Sequence, residues 1–140
     1  MRLTFEKVLF LKTIPLFAGI PESVLSDIVK KSTDVPAIIG SDIIKEGGVL
    51  DSLYIIVQGM VRFEKDGKTI KELGKSSYFG ATYAFDPAPI NLTISAIDDT
   101  LMFRLRGIEL YDLMNEHPDI ARALIPALCK RVRTIEPDNI

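Results

Sequence analysis

One histidine, His117, and one cysteine, Cys129, leave little from which to build a nucleophilic centre. As a pair they would offer a base and a thiol. His117, however, precedes Pro118 at an expected helix break, a usual surface position. Cys129 falls on an apolar stripe that reads as buried, where a thiol is inert. The same scarcity removes an internal disulfide, a multi-cysteine zinc site and a His–His metal pair. Asp98-Asp99 is a carboxylate pair at an expected turn, with no third oxygen ligand nearby in the chain. Gly67-Lys68-Thr69 through Gly74-Lys75-Ser76 imitates a phosphate loop. That loop needs four residues between its glycine and Gly-Lys-Ser, whereas six separate Gly67 from Gly74, so a hairpin and its exit turn are expected instead. Asn91-Leu92-Thr93 matches a glycosylation sequon, but no secretion signal accompanies it. Lys130, Arg131 and Arg133 suit the negative pole of a solvated helix end.

One segment carries more. Ser77-Tyr78-Phe79-Gly80-Ala81-Thr82 runs into Tyr83-Ala84-Phe85 and the proline-rich Asp86-Pro87-Ala88-Pro89. A glycine before one turn of small and apolar residues predicts a short helix whose first N–H groups point outward, an arrangement that suits an anion.

The elements that must position this segment are legible from periodicity. Phe5–Lys12 predicts a short helix, ended near Ile14 by Pro15. Pro21-Glu22 opens a second, with Val24, Leu25, Ile28 and Val29 on one face. From Val35 the texture turns to short β runs: 35–39, 42–45, 53–57, 60–65, 68–73, 90–96 and 101–105. Asp66-Gly67 between two of them predicts a type I′ hairpin. Ile90–Ala96 alternates apolar and polar residues as one strand would. Helical texture returns over Gly107–Glu116 and from Asp119 to about Thr134, where Pro126 predicts a kink or break. Glu136-Pro137-Asp138-Asn139 closes that last helix. The expectation is an α+β fold: an antiparallel β-barrel or jelly roll of about eight strands, with helices at both ends of the chain.

Composition agrees with this outline. The chain has 140 residues, 47% of them hydrophobic and 26% charged, enough for one domain with its own core. Seventeen Lys+Arg against nineteen Asp+Glu give a net charge of −2, without the basic surplus of a general DNA binder. The longest uncharged stretch, Pro87–Ile97, is eleven residues and too short to span a bilayer. A cytoplasmic protein without a membrane span is expected.

In order and spacing the sequence resembles the cyclic nucleotide-binding domain family, the effector domain of catabolite activator proteins, from about Leu11 to Val132. The residues that carry the resemblance are Pro15-Leu16-Phe17-Ala18-Gly19-Ile20-Pro21, Gly40 before Ile43, Glu46-Gly47, Leu53-Tyr54-Ile55-Ile56 closing with Gly59, Gly74, Phe79-Gly80, and Thr93 to Ala96. The resemblance implies a single domain over 1–140, with N-terminal helices about 5–31, a β-roll about 35–106 and C-terminal helices about 107–134. It also implies a phosphate-binding cassette that begins Phe-Gly-Glu and ends Pro-Arg-x-x-Thr. This chain supplies Phe79-Gly80, then Ala81 for the glutamate; later it supplies Pro89, then Ile90 for the arginine, then Asn91, Leu92 and Thr93. The cassette length is kept without a gap.

The site implied by the resemblance is therefore Phe79, Gly80, Ala81, Thr82, Ile90, Asn91, Leu92 and Thr93. In the family the arginine pairs with the cyclic phosphate and the glutamate with the ribose hydroxyl. Each charge-assisted bond contributes ~1.5–3 kcal/mol, so losing both weakens affinity by roughly two to four decades at ~1.4 kcal/mol per decade. Ile90, Leu92, Tyr83 and Phe85 make the expected pocket more apolar.

A non-enzymatic, ligand-sensing regulatory module follows, with no required cofactor, with weak or no binding of ordinary cyclic AMP or cyclic GMP, and with another anionic ligand as the other candidate occupant. The alternative is an interaction domain without a small ligand, forming a homodimer through helix 119–134 with Leu124, Leu128 and Val132 as the seam. The related activators carry a helix-turn-helix domain after the long helix; none is expected within these 140 residues.

Overall fold

The computed structural model describes residues 3–136. Pro137, Asp138 and Asn139, expected to close the last helix, lie outside the described residues. The chain divides into two compact units, one of residues 3–31 with 111–136 and one of residues 32–110.

The helical unit begins with α1 (Thr4–Lys12) and a 3₁₀ turn at Pro15–Phe17, then α2 (Glu22–Lys31). Pro15 starts the 3₁₀ turn, as its fixed φ allows. The Pro21 carbonyl accepts the Val24 and Leu25 N–H groups and so opens α2. Val24, Leu25, Ile28 and Val29 are buried as one face, which is what their spacing expected. Lys12 bonds the Glu22 carboxylate, and that bond lowers the Glu22 pKa.

The last helix, α5 (Pro118–Ile135), follows α4 (Gly107–Glu116). It departs from expectation at two places. Of the kink or break expected at Pro126, the break does not form, and the helix runs on through it. Pro126 is on the exposed side, where water can satisfy the carbonyl its missing N–H leaves free. Cys129 is exposed rather than buried, because only Ile120 and Leu124 of the helix are sequestered and the buried stripe ends after two turns. His117 hydrogen-bonds through Nε2 to Asp27 Oδ2 on α2 at 2.9 Å.

The strand unit holds ten antiparallel strands: β1 (Thr33–Ala37), β2 (Asp42–Ile44), β3 (Val49–Leu50), β4 (Ser52–Gln58), β5 (Met60–Lys65), β6 (Lys68–Gly74), β7 (Tyr78–Phe79), β8 (Ala88–Pro89), β9 (Thr93–Ala96) and β10 (Thr100–Arg106). A short helix, α3 (Ala81–Phe85), interrupts them. One sheet is ordered β1-β10-β4-β7, another β2-β9-β5-β6, and β3 pairs with β8. Three strands of only two residues account for the excess over the expected eight or so. Pro36 is tolerated because β1 is an edge strand. Ile38 and Ile39, expected in the first strand, fall in the turn after it and are exposed. Asp66 and Gly67 both have positive φ, 51° and 76°, as the expected hairpin requires. The Gly74-Lys75-Ser76 imitation of a phosphate loop is the exit turn: the Ser76 N–H donates to the Ile56 carbonyl. Asp98 and Asp99 are spent on turns: the Asp98 side chain accepts the Asp99 N–H at 2.8 Å, and the Asp99 side chain accepts the Ile39 N–H of the turn after β1 at 2.9 Å.

Inside this unit Leu50, Tyr54, Ile56, Val61, Phe79, Ile90, Ile94 and Met102 form a buried apolar cluster, flanked by Val35, Ile44, Phe63, Leu73, Tyr83 and Leu92. No helix among the described residues is long and apolar enough to cross a membrane.

Candidate functional site

The segment from Phe79 to Thr93 is held at both ends by strands. Phe79 closes β7, opposite Tyr54 of β4, and the two rings stack with centroids 4.9 Å apart. Phe63 meets the Phe79 ring edge-on at 5.7 Å. Gly80 follows with φ 86° and precedes α3, its carbonyl accepting the Ala84 N–H at 2.8 Å. A methyl group at Gly80 would collide with the Ser52 carbonyl, so this turn requires glycine for its approach as well as its φ. At the other end of α3, the Ala84 carbonyl lies where a Cβ on Gly107 would be. The short helix is thus clamped against the start of β4 and the residue after β10.

The eight residues implied by the family resemblance do not converge as one polar set. Phe79, Ala81 and Ile90 are buried, at 3%, 5% and 6% exposure. Thr82 and Asn91 are exposed. Leu92 is half-buried against the apolar cluster. Thr93 is half-buried, and its hydroxyl accepts the Glu46 N–H at 3.0 Å.

Ile90 is not in a strand; β8 ends at Pro89 and β9 begins at Thr93, so the single strand expected over Ile90–Ala96 is divided. The reason is local: the Ile90 N–H donates to Gly48 and its carbonyl accepts from Gly47, extending the β3–β8 ribbon, while β9 pairs with β2 and β5. The alternation also fails at Ser95, which is buried.

The open hollows beside the segment carry carboxylates. Thr93 lines a recess of about 410 Å³ with Asp42, Glu46, Glu64 and Asp66. Glu46 pairs with Lys65 and Glu64 with Arg62, each at 3.0 Å. The hydrogen bond to Glu46 raises the Lys65 pKa. A second recess, of about 290 Å³, is lined by Thr82, Tyr83, Asp86 and Ala88. Neither suits an anion, since like charges repel and carboxylates only accept hydrogen bonds. No cluster among the described residues offers three or more His, Cys, Asp or Glu side chains to a metal.

Two side chains at this face were not among the expected site residues. Tyr54 covers Phe79, and Arg104 stands next to Tyr54 across β10 and β4. The signal for Arg104 was an arginine of the same parity as Met102 within the apolar run Leu101–Leu105.

A family model described as "Cyclic nucleotide-binding domain" matches residues 39–117. A CRP-like cAMP-activated global transcriptional regulator from Mycobacterium tuberculosis is 27% identical over 123 residues, covering 84% of this chain and 55% of that protein. The chain therefore spans about half the length of that curated relative. The N-terminal domain of a transcriptional regulator from Streptomyces coelicolor superposes with a TM-score of 0.82 at 26% identity, over 92% of this chain and 96% of that one. The sensor domain of the transcriptional regulator DNR from Pseudomonas aeruginosa has the same fold, with a TM-score of 0.82 at 18% identity over 100% of this chain and 97% of the other.

Proposed function

The chain belongs to the cyclic nucleotide-binding domain family, and within it we propose a non-enzymatic, ligand-sensing regulatory module that binds ordinary cyclic AMP and cyclic GMP weakly or not at all. The observation that carries this reading is the burial of Ile90, at 6% exposure, within an apolar cluster at the position where the family's cassette has its arginine. Ala81, where the glutamate would stand, is equally enclosed at 5%. A guanidinium and a carboxylate recognise a cyclic phosphate and a ribose hydroxyl by charge-assisted bonds. An isobutyl-sized side chain and a methyl group supply neither.

Calorimetry with cyclic AMP, cyclic GMP and cyclic dinucleotides tests the proposal. The expected result is a dissociation constant for cyclic AMP of roughly millimolar or no heat at all, from the two to four decades lost with the two side chains. Submicromolar binding of cyclic AMP would overturn it.

One observation favours a second reading, an interaction domain that pairs with another copy of itself. The exposed side of α5 carries Ala121, Ile125, Leu128, Val132 and Ile135 at spacings of 4, 3, 4 and 3, with Ile125, Val132 and Ile135 at 59%, 46% and 70% exposure. Leu124, expected in the seam, is buried, so the seam runs through Ile125 instead. That spacing is a heptad pattern, and β-branched residues alternating with leucine suit two strands. Sedimentation over a range of concentrations decides: a monomer throughout removes this reading.

A further inference from the structure

Strand register puts a charged side chain on the inner face of the first sheet. Thr33, Arg104, Tyr54 and Phe79 stand opposite one another across β1, β10, β4 and β7. Directly opposed residues of antiparallel strands project to the same face. Met102, two residues before Arg104, shares that face by the period of two, and Met102, Tyr54 and Phe79 all belong to the buried apolar cluster. Arg104 thus extends from the face that forms the core.

Its surroundings are unusual for a cation. Arg104 is half-buried, and its Nε is shut off from solvent with no hydrogen-bond acceptor. It ion-pairs with no described residue. Arg62, whose Nε is equally enclosed, pairs with Glu64, and Arg106 pairs with Glu109. A partly desolvated guanidinium without a counter-charge is unfavourable, and its planar fork matches an oxyanion better than any other side chain does. Beside it the stacked rings of Tyr54 and Phe79 lead directly into Gly80 and α3.

We propose that Arg104 is the cationic anchor for an oxyanion, the phosphate or phosphodiester of an organic ligand, taking over from β10 the charge that Ile90 does not bring. This rests on the reading of the domain as a ligand-sensing module, and names the residue that selects the ligand's charge.

The test is a titration of the full chain followed by NMR of the arginine Nε–Hε resonances, with cyclic AMP, adenosine and inorganic phosphate as probes. The expected result is that millimolar cyclic AMP moves the Arg104 resonance, adenosine does not, and Arg62 stays still. Arg104→Met then lowers cyclic AMP affinity roughly tenfold, one decade for one charge-assisted contact, while Arg62→Met leaves it unchanged. If cyclic AMP moves the amides of residues 79–93 but leaves Arg104 untouched, the ligand-sensing reading stands and the anchor is overturned. If inorganic phosphate alone moves Arg104, the contact is an adventitious ion only and the proposal falls. If no probe moves either region, the anchor is overturned, while the ligand-sensing reading, which allows for no binding of cyclic AMP, stands with a ligand of another class.

Discussion

Ile90 joins the backbone and the core at one position. Its N–H and carbonyl are both bonded to Gly47-Gly48, and its side chain is buried among Leu50, Tyr54 and Phe79. Truncation to alanine should therefore cost about 2–5 kcal/mol, the range for a large aliphatic side chain removed from a packed core. Asn91→Ala, next door but exposed, should fall within about 0.5 kcal/mol. Urea unfolding of the two variants checks this, and equal effects would place Ile90 outside the core. At Gly80, alanine meets both a φ of 86° and the Ser52 carbonyl. Gly80→Ala should destabilise by at least about 1–2 kcal/mol; a neutral outcome would mean the turn before α3 is not held as described. Phe79 and Gly80 could be picked out in the sequence because a glycine turn and a proline-rich exit are local signals, whereas Ile90 was marked only by the family resemblance. Arg104 and Tyr54 could not, because what makes them neighbours is strand pairing over fifty residues of chain.

The elements that were legible are those with a period long enough to count. Four buried residues on α2 and two positive-φ residues at Asp66-Gly67 are each set by a few consecutive side chains. The two-residue strands β3, β7 and β8 leave no period to see, and they are defined by partners rather than by their own residues. In α5 the stripe was visible but its face was misassigned: Leu124 turns inward and Cys129 outward. The exposed heptad makes a prediction at this scale. If two copies pair through it, Ile125→Glu with Val132→Glu should shift the sedimentation profile from dimer to monomer, as like charges at facing positions repel. The exposed Lys130→Glu, on the side of the helix away from the seam, should leave it unchanged. A dimer that survives the double substitution must use another surface.

At the scale of the whole molecule, the family is shared with a regulator whose name states activation by cyclic AMP, of which this chain matches about half the length. The fold is shared with the N-terminal domain of one transcriptional regulator at 26% identity and with the sensor domain of another at 18%. The proposed function turns on the apolar interior at the expected cassette, where Ile90 and Ala81 are enclosed. Thermal unfolding in 1 mM cyclic AMP tests that most directly. A millimolar dissociation constant adds only about 0.4 kcal/mol of stability, whereas a micromolar one adds about 4 kcal/mol. At roughly 4 °C per kcal/mol for a chain of this size, the predicted rise in Tm is under about 2 °C; a rise above about 10 °C would contradict the account.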